Sequence, residues 1–236
     1  MNWSEQIFIY CERGQNPAFW AEPLNAITNS AFILAAIAAL VMWSRQERNN
    51  RRILDFCLIL LVFVIGVGSF LFHTLATRWA SIADIAPIGI LMLCYLAFAL
   101  KRFVNVGWLV TGFGLVVFVI GLWQFGEMRC DGVRCLNGSV AYFPAFIALL
   151  LLGVILVVQR HPAGRSLILA GVIFSVSLTA RSIDMAVCPM TALVDGDPVG
   201  THFIWHVLNA TLLFILMRAA ILYGGLKQHE GIATAG

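Results

Sequence analysis

The sequence predicts an all-α fold: a polytopic membrane protein in which seven transmembrane helices form a single bundle. Three observations carry this. The 236 residues are 61% hydrophobic and only 11% charged, with a mean hydropathy of +0.90, whereas a soluble domain carries about a quarter charged residues. Seven apolar stretches, roughly 23–43, 53–73, 83–100, 106–124, 140–158, 166–184 and 201–223, are each long enough to cross a bilayer, which takes about 20 helical residues. The connections between them are short, which sets sequence neighbours antiparallel and side by side and leaves no room for a second domain. The net charge of +3 is small and scattered. It argues against nucleic acid as a partner, and the expected partner is the membrane.

Taken in order, residues 1–22 carry Glu5, Glu12, Arg13 and Glu22. A signal peptide would instead show a basic start and an apolar run, so the first helix is expected to direct its own insertion. The first stretch opens with Glu22, Asn25 and Asn29 on one helical face. These either bridge helices by hydrogen bonds or hold a cation through oxygen. The second stretch ends on Ser69 and, one turn later, His73; the third starts at Asp84. The fourth and fifth are almost purely apolar apart from Thr111 and Gln124, and read as lipid-facing scaffold. The sixth closes on Arg181 and Asp184, three apart and able to form an ion pair. The seventh opens with His202 and His206, four apart and therefore one turn above each other on one face. The Trp and Phe residues read mostly as lipid-facing or interfacial side chains.

Basic residues set the expected orientation. Arg45, Arg48, Arg51, Arg52, Lys101, Arg102, Arg160, Arg165 and Lys227 fall on one side, against Arg13, Arg78, Arg129 and Arg134 on the other. The N-terminus is expected outside and the C-terminus in the cytoplasm. Cys11, Cys130, Cys135 and Cys188 then face an oxidising compartment. The predicted disulfides are Cys130–Cys135 and Cys11–Cys188, while Cys57 and Cys94 fall inside helices.

This topology brings Ser69, His73, Asp84, Arg181, Asp184, His202 and His206 to one depth near the outer face. Ionisable groups inside a membrane are costly and point to function. Each has a plainer reading: a lone histidine commonly packs as a hydrogen-bonded core residue, Asp84 could cap its helix, and Ser69 could bond back to its own backbone. Three histidines at one level, however, suit zinc. His73, His202 and His206 as ligands leave a fourth position for water, the catalytic rather than the structural pattern. Zinc lowers the pKa of bound water to about 7 and polarises a carbonyl. Asp84 is placed to take a proton and return it to a leaving amine, and Ser69 to donate to a developing oxyanion. A site inside the bilayer's outer half calls for a lipid entering sideways, and the reaction is hydrolysis of an amide or ester. The competing reading is a seven-helix lipid receptor or binding protein with a structural zinc. Asp84 favours the enzyme, because structural zinc needs no base beside it.

Ser69-Phe-Leu-Phe-His73, Asp84 and His202-Phe-Ile-Trp-His206 on seven helices resemble the alkaline ceramidases. Those belong to the CREST membrane hydrolase superfamily, which also holds the adiponectin-receptor type. The resemblance runs nearly end to end, through Tyr10-Cys-Glu-Arg13, Ala21-Glu-Pro-Leu-Asn25 with Asn29, and Arg181-Ser-Ile-Asp184 with Cys188. It implies zinc on His73, His202 and His206, Asp84 as proton acceptor, Ser69 assisting the oxyanion and a Cys11–Cys188 disulfide. It also implies cleavage of the N-acyl bond of ceramide or a related lipid amide. Eukaryotic members hold calcium near the N-terminus, which points to Glu12 and Glu22 with backbone carbonyls. Here the stretch reads Ile9-Tyr10-Cys11-Glu12, so the acidic residue those members place before Trp-Cys-Glu is missing. The short tail and compact loops resemble bacterial members.

Overall fold

In the computed structural model, residues 2–192 and 196–225 are described, and seven helices among them are long and apolar enough to cross a membrane. α1 spans Pro23–Ser44, α2 Ile53–Leu75, and α3 Arg78–Phe98 with a wider π turn over Ala99–Phe103. α4 is Trp108–Gly126, α5 Phe143–Val158, α6 Ala163–Val187 and α7 His202–Tyr223. Lys227, used above for orientation, lies outside the described residues.

α1 packs on both α2 and α7, α3 on α2, and α6 on α5 and α7. α4 sits outermost: of its residues only Thr111 and Phe118 are buried, and Leu109 is 92% exposed. That is the scaffold role expected of it. α5 departs from the same expectation, because Leu149, Leu152 and Leu156 are buried and part of the helix lines an internal cavity. A purely apolar helix suits lipid on one face and an apolar cavity on the other.

The helix starts explain where the site residues fall. α1 begins at Pro23, whose absent N–H is no loss in a first turn, and is interrupted at Asn29, whose amide donates to the Asn25 carbonyl at 2.8 Å. α3 begins at Arg78, five residues ahead of its expected start, so Asp84 sits inside the helix and is not its cap. The first-turn donors of α3 are met from outside: Arg78 N–H bonds Glu5 O and Trp79 N–H bonds Trp3 O. The N-terminal segment thus docks on the α2–α3 corner, where Ala76 turns in the left-handed region at φ 51°. α2 and α3 approach closely at Gly68, where a Cβ would lie 2.0 Å from the Ala83 carbonyl oxygen. That contact sets Ser69 beside Asp84. α6 also extends beyond its expected limits at both ends.

Both predicted disulfides form, Cys11–Cys188 and Cys130–Cys135, and Cys57 and Cys94 are free. At the end of the bundle away from the N-terminal segment, Asp55 is 1% exposed and pairs with Arg52 at 2.7 Å. Arg52 also donates to the carbonyls of Ala220 and Ile221, meeting the open carbonyls at the end of α7.

Candidate metal centre

Three imidazoles converge where α2 ends and α7 begins. His73, His202 and His206 are each 1% exposed, and one ring nitrogen from each lies within 4.8 Å of the others. The surroundings fix the rings. His73 Nδ1 meets Glu22 Oε2 at 2.5 Å, and His206 Nδ1 meets Thr28 Oγ1 at 3.0 Å. A carboxylate or hydroxyl on the far nitrogen holds the ring orientation and tautomer of a metal-binding histidine. His73 Nε2, His206 Nε2 and His202 Nδ1 are left buried with no hydrogen-bond partner. Unmet buried polar atoms are costly, and three clustered imidazoles, each offering one nitrogen, fit a metal ion of the kind imidazole prefers.

Glu22 is itself held. Arg13 Nε donates to its Oε1 at 2.5 Å and Asn25 Nδ2 to its Oε2 at 3.1 Å. Burial pushes the Glu22 pKa up, but the contacts with His73 and Arg13 outweigh it and hold the carboxyl below its usual range. The Arg13 guanidinium, almost fully buried, also donates to the carbonyls of Asn16, Ala18, His73 and Thr74. Glu12 accepts backbone N–H from Leu24 at 2.6 Å and Asn25 at 2.8 Å, the donors of a helix's first turn. Burial, the largest influence, raises its pKa. The oxygens expected for calcium are therefore spent on N–H donors, and a guanidinium sits against Glu22. Beside them, Oδ1 of Asn25 and of Asn29 are buried with no hydrogen-bond partner.

Ser69 and Asp84, 4% and 8% exposed, face the centre from α2 and α3. Ser69 is close enough to hydrogen-bond the Asp84 carboxylate. Beyond them runs an apolar cavity of about 110 Å³, lined among others by Phe32, Tyr142, Leu149, Trp205 and Leu216. From Trp205 to Leu216 it follows roughly 16 Å of α7. The site residues thus adjoin this cavity, Ser69 one turn from Ile65 and Asp84 one turn from Ile88 in its lining. The Ceramidase family model matches residues 7–231, nearly the whole chain. The chain belongs to the ceramidase family. Membership implies a membrane hydrolase acting on amide bonds, and no curated protein matches the sequence.

Several residues that build this ceramidase-family centre could be named from the sequence, but their contacts could not be read there. Tyr10 stacks on His202 with ring centroids 3.8 Å apart and lies 5.0 Å from His73. It stands next to Cys11, whose bridge to Cys188 carries it inward. Burial holds its phenol above the ordinary range, so it stays protonated. Arg181 and Asp184 do not form the ion pair their spacing allows. Asp184 accepts from the N–H groups of Cys11 at 3.1 Å, Thr201 at 2.7 Å and His202 at 3.0 Å. It caps α7 from α6, since the Thr201 hydroxyl is turned to Ala180 O. Gly200 allows this, with φ +64° and its absent Cβ 2.1 Å from Asp184 Oδ1. Arg181 instead donates to the Tyr10 hydroxyl at 3.0 Å.

Proposed function

We propose that the chain is a zinc-dependent lipid amidase acting within the bilayer, cleaving the N-acyl bond of ceramide or a related lipid amide to fatty acid and amine. The observation that carries it is the set of three unpartnered, buried imidazole nitrogens beside Asp84 and Ser69 at the end of an apolar cavity. When bound by His73, His202 and His206, zinc would supply a Lewis acid and a water of lowered pKa.

The chain's own residues do the rest. Glu22 and Thr28 keep the rings of His73 and His206 turned inward. The cavity takes the acyl chain, so Trp205 and Tyr142 at its rim hold the amide near the histidines. Asp84 accepts the proton of the attacking water on its carboxylate. It then delivers that proton to the amine nitrogen as the C–N bond breaks. Ser69 keeps Asp84 aimed and has its hydroxyl at hand for the oxyanion. The substrate enters sideways from the lipid. The arginines at the opposite end, Arg45, Arg48, Arg51 and Arg52 among them, support an outward-facing site with the N-terminus outside.

The test is metal removal and return. Chelator-treated protein should release no fatty acid from ceramide, and one equivalent of zinc should restore release. Full activity in protein shown to be metal-free would refute the reading.

A further inference from the structure

Across Tyr10 from His202 sits a cation that forms no ion pair with a carboxylate among the described residues. Arg181 projects from α6 so that its guanidinium carbon lies 5.7 Å from the ring centre of Tyr10, 5.6 Å from Tyr142 and 5.4 Å from Trp205. With the described residues its side chain makes one hydrogen bond, Nη1 to the Tyr10 hydroxyl, and its Nε is buried with no partner there. Among the described residues no carboxylate makes an ion pair with it. Asp184 is spent on three backbone N–H groups. Asp84 is near enough for its charge to be felt but does not pair. Three aromatic faces offset part of the desolvation of the guanidinium, yet a ring face does not satisfy a buried N–H aimed elsewhere.

Position decides what would. Tyr142 and Trp205 also line the apolar cavity, and Tyr10 stacks on His202. The guanidinium therefore stands against aromatic rings of which two line the cavity and one stacks on a histidine of the centre. With the acyl chain in the cavity and the amide at the histidines, the amine portion of the substrate is what remains to reach it. Guanidinium is a planar fork that matches oxyanions bidentately, and a neutral headgroup would leave this half-buried charge without an anion.

We propose that Arg181 is a specificity residue that selects lipid amides whose amine portion carries an anionic group, a phosphate, sulfonate or carboxylate. This rests on the amidase reading for the substrate's placement. It is tested by binding, so that the two can fail separately. The probes are N-dodecanoylglycine and N-dodecanoylethanolamine, which share chain and amide and differ in the anion. Their dissociation constants are measured on full-length, zinc-loaded Asp84→Asn protein with Arg181 intact, and with Arg181→Gln or Arg181→Lys added. The glycine conjugate should bind at least about tenfold tighter, as expected of a hydrogen bond to a charged group. Arg181→Gln should bring the ratio near one, and Arg181→Lys should keep part of it. Equal or tighter binding of the ethanolamide with Arg181 intact overturns the proposal, even if Arg181→Gln fails to fold. So does a preference that survives Arg181→Gln. Arginine-dependent preference without fatty-acid release by the parent protein would keep the anion site and remove the amidase reading.

Discussion

At the scale of single residues, the centre depends as much on what stands behind the histidines as on the histidines. Glu22 reaches His73 Nδ1 with one oxygen and Arg13 with the other. Glu22→Gln should lower zinc affinity about 10- to 100-fold, read by chelator competition, because the far-side partner of a metal-binding imidazole is worth that much. It should also lower the melting temperature, since one partner of a buried ion pair is lost at a cost of about 3–5 kcal/mol. Unchanged affinity would show that packing alone orients His73. Thr28→Val should act in the same direction through His206 but more weakly, as it removes a neutral hydrogen bond. His202 and His206 were legible in the sequence because helical spacing alone puts them on one face. Glu22 was legible as a polar residue in an apolar chain, but its role was not. Its partner His73 lies on another helix, and only the packing of α1 on α2 joins them.

Among elements, two contacts decide whether the site assembles. The first is α2 against α3 at Gly68. Gly68→Ala puts a methyl group 2.0 Å from the Ala83 carbonyl, so the helices must separate and Ser69 must leave Asp84. Fatty-acid release should fall at least tenfold with a lowered melting temperature; wild-type values would mean the helices tolerate the shift. The second is the strap formed by Cys11–Cys188, which joins residues 177 apart in sequence. Closing so long a loop in the unfolded chain is worth about 4–5 kcal/mol by the chain-entropy model. Cys188→Ser should lower the melting temperature and also weaken zinc binding, because Cys11 N–H is tied to the Asp184 that caps α7. A thermal loss with zinc affinity intact would separate the strap from the centre. The strap was legible from cysteine positions and topology. The early start of α3 was not, because its first donors are met by Trp3 and Glu5, far away in the chain.

For the whole molecule, polar groups gather at one end of the bundle and an apolar cavity runs beneath them, an arrangement suited to a reaction on a lipid held in place by its tail. The seven spans and the level of the polar residues could be read from hydropathy, because lipid and core both demand apolar side chains. The same uniformity hid which apolar faces meet lipid and which enclose space, so α5 passed for lipid-facing scaffold. In the proposed chemistry Asp84 moves the proton of a metal-dependent amide cleavage. The most direct measurement is fatty acid released from a panel of N-acyl lipids, ceramide and N-dodecanoylglycine among them, by zinc-loaded parent protein and by Asp84→Asn, with zinc content determined on both samples. One zinc per chain is expected in each, with release from at least one lipid by the parent and a rate at least about 100-fold lower in Asp84→Asn. Equal rates in the two proteins, or no release from any of the lipids by a parent fully loaded with zinc, would contradict this chemistry.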